Sequence, residues 1–186
     1  MVKKMTDWSV LEPFLNAPAQ ELHLALLAQK RREPHTTLRL KLAPFVEEGV
    51  LKTRKAGNMT LFRLNKEHPN LIEHLVIAEK LKLLAACRTE PLLREFSRFL
   101  REKTADGTIA ILFGSATTKA KTAHDFDLLV IGEPPVFTEF SERYRKEVHL
   151  INVKRTDRIT SALKQEILKN HLLLTGSEDA MRWLLW

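Results

Sequence analysis

Apolar residues recur at helical spacing in three bursts over the first fifty positions. Trp8, Val10, Leu11, Phe14 and Leu15 make the first, closed by Asn16-Ala17-Pro18. Leu22, Leu24, Ala25, Leu26 and Leu27 predict a second helix over 19–30, broken by Lys30-Arg31-Arg32-Glu33-Pro34. Thr36 or Thr37 is expected to cap a third, running through Leu38, Leu40, Leu42, Phe45 and Val46 and stopping at Gly49. The period then shortens, and 50–55 and 60–65 read as strands joined by the hairpin loop Ala56-Gly57-Asn58-Met59.

Helical spacing returns over 69–103, with a break near Arg88 to Glu90 because Pro91 suits a helix start. Its first segment is apolar enough to pack against a neighbour or a second chain. Asp106-Gly107 turns the chain into two short apolar runs, 109–113 and 128–131, with the composition of buried strands. A turn at Gly132-Glu133-Pro134-Pro135, a helix over 136–145, a strand over 147–153, a helix over 156–169 and a strand over 172–175 follow. Ser177 is expected to cap a terminal helix with Glu178 and Asp179 in its first turn, its last residues Trp183, Leu184, Leu185 and Trp186 requiring burial. The alternation predicts an α/β (α+β) fold.

Composition narrows this modestly. A chain of 186 residues, 44% hydrophobic, can bury one large core or two small ones. The net charge of +7 favours a polyanionic partner, and 12 basic against 7 acidic residues over 1–68 put +5 of it in the first third. The single cysteine, Cys87, excludes an internal disulfide and a cysteine zinc cluster, and reads as a buried free thiol. No apolar run resembles a signal peptide or reaches the ~20 residues that span a bilayer, so a cytoplasmic, soluble protein with no membrane partner is expected.

The candidate chemistry lies between the two apolar runs. A strand ending in Gly114-Ser115 lets backbone approach a phosphate and adds a hydroxyl donor. Asp125 and Asp127, two apart on a strand, put both carboxylates on one face while Phe126 points to the core. Two hard oxygen donors beside a phosphate-binding loop suit a Mg2+ ion shared with a nucleoside triphosphate. Gly114-Ser115, a loop, Asp125-Phe126-Asp127 and the trailing Leu128-Leu129-Val130 resemble the signature of the nucleotidyltransferase superfamily, its polymerase-beta-like and minimal members included. The resemblance implies catalytic and metal-binding roles for Asp125 and Asp127, triphosphate binding by Gly114 and Ser115, and a third carboxylate on a neighbouring strand. Here His149 stands where that carboxylate aligns, and Glu147 is the nearest acidic substitute. Lys119 stands in a loop that often carries Arg-Gly in the family, and can neutralise phosphate. His124 and His149 are read as packing or positioning residues rather than ligands.

Three helices followed by a hairpin is the order of a winged helix, and 8–66 resembles the prokaryotic winged helix-turn-helix repressors, notably at Phe45-Val46-Glu47-Glu48-Gly49-Val50-Leu51-Lys52 and Leu61-Phe62-Arg63-Leu64-Asn65. That resemblance implies double-stranded DNA as partner. The helix from Thr36 would enter the major groove with Thr36, Thr37, Arg39 and Lys41 facing bases or phosphates, and Arg54, Lys55 and Asn58 on the hairpin would meet backbone or minor groove. The expected organisation is a DNA-binding domain over 1–68, a helical linker over 69–105 and a nucleotidyltransferase-like mixed sheet with flanking helices over 106–186. Three functions fit: a dimeric regulator whose nucleotide site has weakened or lost catalysis, an active nucleotidyltransferase acting on a protein or other acceptor, or an antitoxin-like component paired with a small helical toxin.

Overall fold

The computed structural model describes residues 6–186, and its chain forms two compact units, Met1–Ala78 with Leu185 and Glu79–Leu184 with Trp186.

In the first unit a 3-10 turn, Trp8–Leu11, starts at Asp7, whose side chain accepts from the Ser9 amide. It continues into α1 (Glu12–Leu15). A short strand β1 (Leu22–His23) leads to α2 (Leu24–Arg31), α3 (His35–Glu47), and the hairpin β2 (Leu51–Ala56) and β3 (Met59–Leu64). Both pairings in the sheet, ordered β1-β3-β2, are antiparallel. Phe14, Leu27, Leu38, Phe45 and Val50 are fully buried in this unit.

Three local expectations are corrected here. The second helix starts later than residue 19, because Leu22 and His23 are extended and pair with Phe62 and Leu61, and the His23 ring then accepts from the Leu26 amide as the helix cap. Neither Thr36 nor Thr37 caps α3. Pro34, the residue before the helix, has its φ fixed at −59 by its ring, and its carbonyl accepts from the Leu38 amide, so both threonines already lie inside the first turn. The hairpin loop is two residues, not four, since Ala56 pairs with Met59 and Gly57 takes φ +58 at the first central position, where a type II′ turn needs glycine. Gly49 does end α3, at φ +84.

Chain passes from one unit to the other along α4 (Leu71–Thr89), followed by α5 (Pro91–Lys103). The second unit then runs β4 (Ile109–Phe113), α6 (Ala116–Lys119), β5 (Asp125–Ile131), α7 (Thr138–Tyr144), β6 (Glu147–Val153), α8 (Ser161–Lys169), β7 (His171–Thr175) and α9 (Ser177–Leu185). Its sheet is mixed, ordered β6-β5-β4-β7, with β5 and β6 parallel and the other pairs antiparallel. The parallel pair requires a crossover, which α7 supplies.

One face of this sheet carries Ala110, Leu112, Phe126, Leu128, Val130, Leu172 and Leu174 into a core with Leu93, Phe96 and Leu100 of α5 and Phe140 of α7. Phe96 sits 4.8 Å from both the Phe126 and the Phe140 ring, each pairing contributing about 0.5–1.5 kcal/mol beyond area burial. Thus α5 belongs to this unit's core. The opposite face presents Asp125, Asp127, Leu129 and Ile131, as period two requires.

Corrections in this unit concern caps and ends. Residues 156–169 form a 3-10 turn, Thr156–Arg158, and then α8, whose cap is Thr160. The cap of α9 is Gly176 at φ +60, where an added Cβ would meet Ile109 at 2.8 Å, and Ser177 lies within the helix with its hydroxyl buried. Leu184 and Leu185 are buried, but Trp186 is 66% exposed. Cys87 is a buried free thiol. No helix among the described residues is long and apolar enough to cross a membrane.

Candidate functional site

The pairing of three strand ends builds the carboxylate cluster. Phe113, the last residue of β4, lies opposite Asp127, so Asp125 extends beyond the reach of β4 at the mouth of the sheet. On the other side the parallel register sets Asp125 against Glu147 and Asp127 against His149. Paired residues of neighbouring strands share a face, so Asp125, Asp127, Glu147 and His149 point the same way. Phe126, fully buried between them in sequence, anchors β5 from behind.

Gly114 is held at φ +72, and an added Cβ there would lie 2.7 Å from Asp127 Oδ2. The glycine therefore makes room for the Asp127 carboxylate, a reason the sequence did not disclose. Ser115 is exposed at the start of α6 with no capping hydrogen bond from its side chain, and Lys119 is exposed in the last turn of that four-residue helix. The loop behind them is tied down. Thr117 Oγ1 donates to the Gly114 carbonyl at 2.7 Å, the Lys121 amide donates to Glu90 Oε2 at 3.1 Å, and Lys146 Nζ donates to the carbonyls of Lys121 and Ala123.

His149, read from sequence as a packing or positioning residue rather than a ligand, is 59% exposed, with Nδ1 3.0 Å from Asp125 Oδ2 and 3.7 Å from Asp127 Oδ1. The ligand atoms of Asp125, Asp127 and His149 all lie within 4.8 Å of one another. Glu147 stands apart from that trio, 86% exposed, its Oε2 4.0 Å from His149 Nε2. Burial and the Asp125 carboxylate push the Asp127 carboxyl above its ordinary value, against the pull of His149. Two crowded carboxylates with an imidazole beside them form a donor set able to ligate one divalent cation, the two oxygens suiting Mg2+ and the nitrogen suiting a transition ion.

The expected DNA-facing residues are distributed unevenly. Thr36, Thr37 and Arg39 are exposed on α3. Lys41, four residues into the same surface, is bridged to Glu33 at 2.6 Å and Asp7 at 3.0 Å, and these partners raise its pKa. Arg54 is clamped by both oxygens of Glu21, with Nε at 2.9 and 2.8 Å, and Lys55 donates to Thr60 Oγ1 at 2.9 Å. Asn58 occupies the exposed hairpin tip. Lys41 and Arg54 are thereby internally neutralised, and Arg39 is the exposed cation of α3.

A second titratable cluster escaped the sequence reading. Glu79 of α4 and His171 of β7 are buried to 1% and 0% exposure, with Glu79 Oε1 2.9 Å from His171 Nε2 and 3.4 Å from Lys82 Nζ. The other ring nitrogen is 3.1 Å from the Ile167 carbonyl. Burial opposes the charge on Glu79, but Lys82 and His171 outweigh it and hold its carboxyl below the usual range; burial and Lys82 hold the His171 imidazole low as well.

No protein-family model, curated protein or solved structure matches this chain.

Proposed function

We propose that this chain is a DNA-binding regulator whose second unit binds a nucleotide together with a divalent cation at Asp125 and Asp127. The observation that carries the reading is the convergence of both carboxylates on one face at the mouth of β5, with that of Asp127 directly over the positive-φ Gly114 that opens the Gly-Ser loop. In this arrangement Asp125 and Asp127 hold the cation, while Ser115 and Lys119, both exposed at that loop, meet phosphate oxygens. A bound divalent cation supplies neutralisation of phosphate charge.

The first unit contributes the DNA-binding half of the proposal. Its support is the element order helix, short strand, helix, helix, hairpin, with the short strand closing on the second hairpin strand, and an exposed Thr36, Thr37 and Arg39 on the helix before the hairpin. A regulator with weakened transfer chemistry is favoured over a full transferase. The residue in register with Asp127 is an imidazole, and Glu147, in register with Asp125, projects into solvent.

Calorimetric titration of Mg-ATP and the other triphosphates into the purified chain and into an Asp125→Asn/Asp127→Asn double variant tests the nucleotide half. Saturable binding that the double variant loses is the expected result. No binding by the parent chain, or equal binding by both, overturns it.

A further inference from the structure

The third donor at the carboxylate cluster is a nitrogen, and this changes which ion the cluster suits. Resting on the proposed reading of Asp125 and Asp127 as cation ligands, we propose that His149 is a direct ligand and that the Asp125–Asp127–His149 cluster selects a first-row transition ion of the Zn2+ or Co2+ kind over Mg2+.

Ligand bonds of about 2.0–2.2 Å, in tetrahedral or octahedral geometry, place neighbouring donor atoms roughly 3.0–3.5 Å apart. His149 Nδ1 lies 3.0 Å from Asp125 Oδ2 and 3.7 Å from Asp127 Oδ1, so the imidazole stands at donor–donor spacing from Asp125 and just beyond it from Asp127. A nitrogen ligand needs Nδ1 to point inward, and it does. The remaining coordination positions face outward from the strand ends, where Asp125 has no partner on β4.

Chemistry then separates the candidate ions. Mg2+ binds hard oxygens in near-ideal octahedra and gives up water reluctantly, so an imidazole in place of a carboxylate removes both a favoured donor type and a negative charge. Zn2+ and Co2+ accept imidazole and carboxylate together, and stand above Mg2+ in their affinity for nitrogen. Among the described residues the other carboxylate near the ring, Glu147, lies on its far side, 4.0 Å from Nε2. That places it beside the outer ring nitrogen, beyond hydrogen-bond distance, rather than in the place of Nδ1.

The test uses the full chain without nucleotide. Co2+ is titrated by visible absorption, and Zn2+ and Mg2+ by calorimetry, into the parent, His149→Gln, His149→Asp and the Asp125→Asn/Asp127→Asn variant. The double variant, which keeps every histidine, gives the background binding of the others to be subtracted. His149 is exposed on an edge strand, so its variants retain the fold, checked by far-ultraviolet circular dichroism.

Expected are one Co2+ lost in the double variant, at least a tenfold loss of Co2+ and Zn2+ affinity with an altered Co2+ spectrum in His149→Gln, and a gain in Mg2+ affinity in His149→Asp. Co2+ affinity and spectrum unchanged in His149→Gln overturn the inference. If Mg-nucleotide binding then still depends on Asp125 and Asp127, the reading of the site survives and only the role of His149 falls. If Co2+ binds through His149 but no nucleotide binds, the nucleotide reading falls and this inference stands.

Discussion

Replacing Gly114 by alanine perturbs the candidate site through two separable terms. An L-residue at φ +72 costs about 1–2 kcal/mol in backbone strain. The added Cβ also meets Asp127 Oδ2 at 2.7 Å, closer than real contacts allow, so the carboxylate must leave its position at a cost of about 0.5–1.5 kcal/mol if it stays off-rotamer. Asp127 Cβ itself stands 3.8 Å away, an ordinary contact, so truncating Asp127 to alanine removes the second term and leaves the first. A double-mutant cycle therefore has a defined outcome: Gly114→Ala destabilises the second unit by about 2–3 kcal/mol in the parent and by about 1 kcal/mol less in the Asp127→Ala background. Because the chain has two compact units, a single melting temperature averages over both, and native-state hydrogen exchange at the β4 and β5 amides is the suitable assay. Equal costs in the two backgrounds would show that the carboxylate does not lie over the glycine, and would remove the central geometric support for the site.

Three further predictions address the remaining clusters. Arg39→Ala should weaken DNA binding and flatten its salt dependence, whereas Lys41→Ala, whose charge is spent on Glu33 and Asp7, should leave retardation of the same DNA nearly unchanged; the opposite order in a gel-shift series would refute the assignment. Glu79→Ala should destabilise the second unit by roughly 3 kcal/mol, as expected when one partner of a buried pair is removed. His171 and Glu79 both have folded-state pKa values below their ordinary ones, so their contributions are complete above the unfolded values and decline as pH falls below about 6.5 for the histidine and about 4.5 for the carboxylate. Urea unfolding of the parent from pH 7.5 to 4 should show that decline, and the Glu79→Ala variant, which lacks the carboxylate that raises the His171 imidazole, should show one that continues to lower pH; parallel curves would refute it.

The parts of this molecule visible in its sequence are those set by local period. Alternation alone placed Asp125 and Asp127 on one face and Phe126 on the other, and the uninterrupted apolar runs of β4 and the later part of β5 announced strands buried on both sides. What failed were features decided by partners distant in sequence. Leu22 and His23 fit a helical pattern, yet pairing with β3 draws them into a strand. Ser177 has the chemistry of a cap, but Gly176 can take φ +60 against Ile109, and the helix starts one residue earlier than a serine cap would permit. The register of β6 could not be read from local period, because a parallel partner is positioned by its crossover, although the resemblance had already set His149 at the third position of the cluster. A signal did exist: the seven residues from Asp125 and the seven from Glu147, laid start to start, give the observed pairing and place His149 beside Asp127. Neither Glu79 nor His171 carries any local mark of the buried pair they form across 92 residues of chain.

The members of the carboxylate cluster are held with unequal stiffness, and this bears on where selectivity resides. Asp127 is restrained by the β4 backbone opposite it, by the glycine beneath its carboxylate and by Phe126 locked between Phe96 and Phe140. Its geometry is fixed by the core, so it changes little with the ion bound. His149 and Glu147 sit on β6, the edge strand, where side chains at both faces remain largely exposed. Substitution there costs little stability, because no packed neighbour is lost. On the proposed reading of the cluster as a cation site, a fold organised in this way can exchange the third donor, and with it the preferred ion, while the two aspartates stay in place. The departure at His149 thus lies at the position of the cluster where a change of ligand chemistry is structurally cheapest, and where altering it is least entangled with folding.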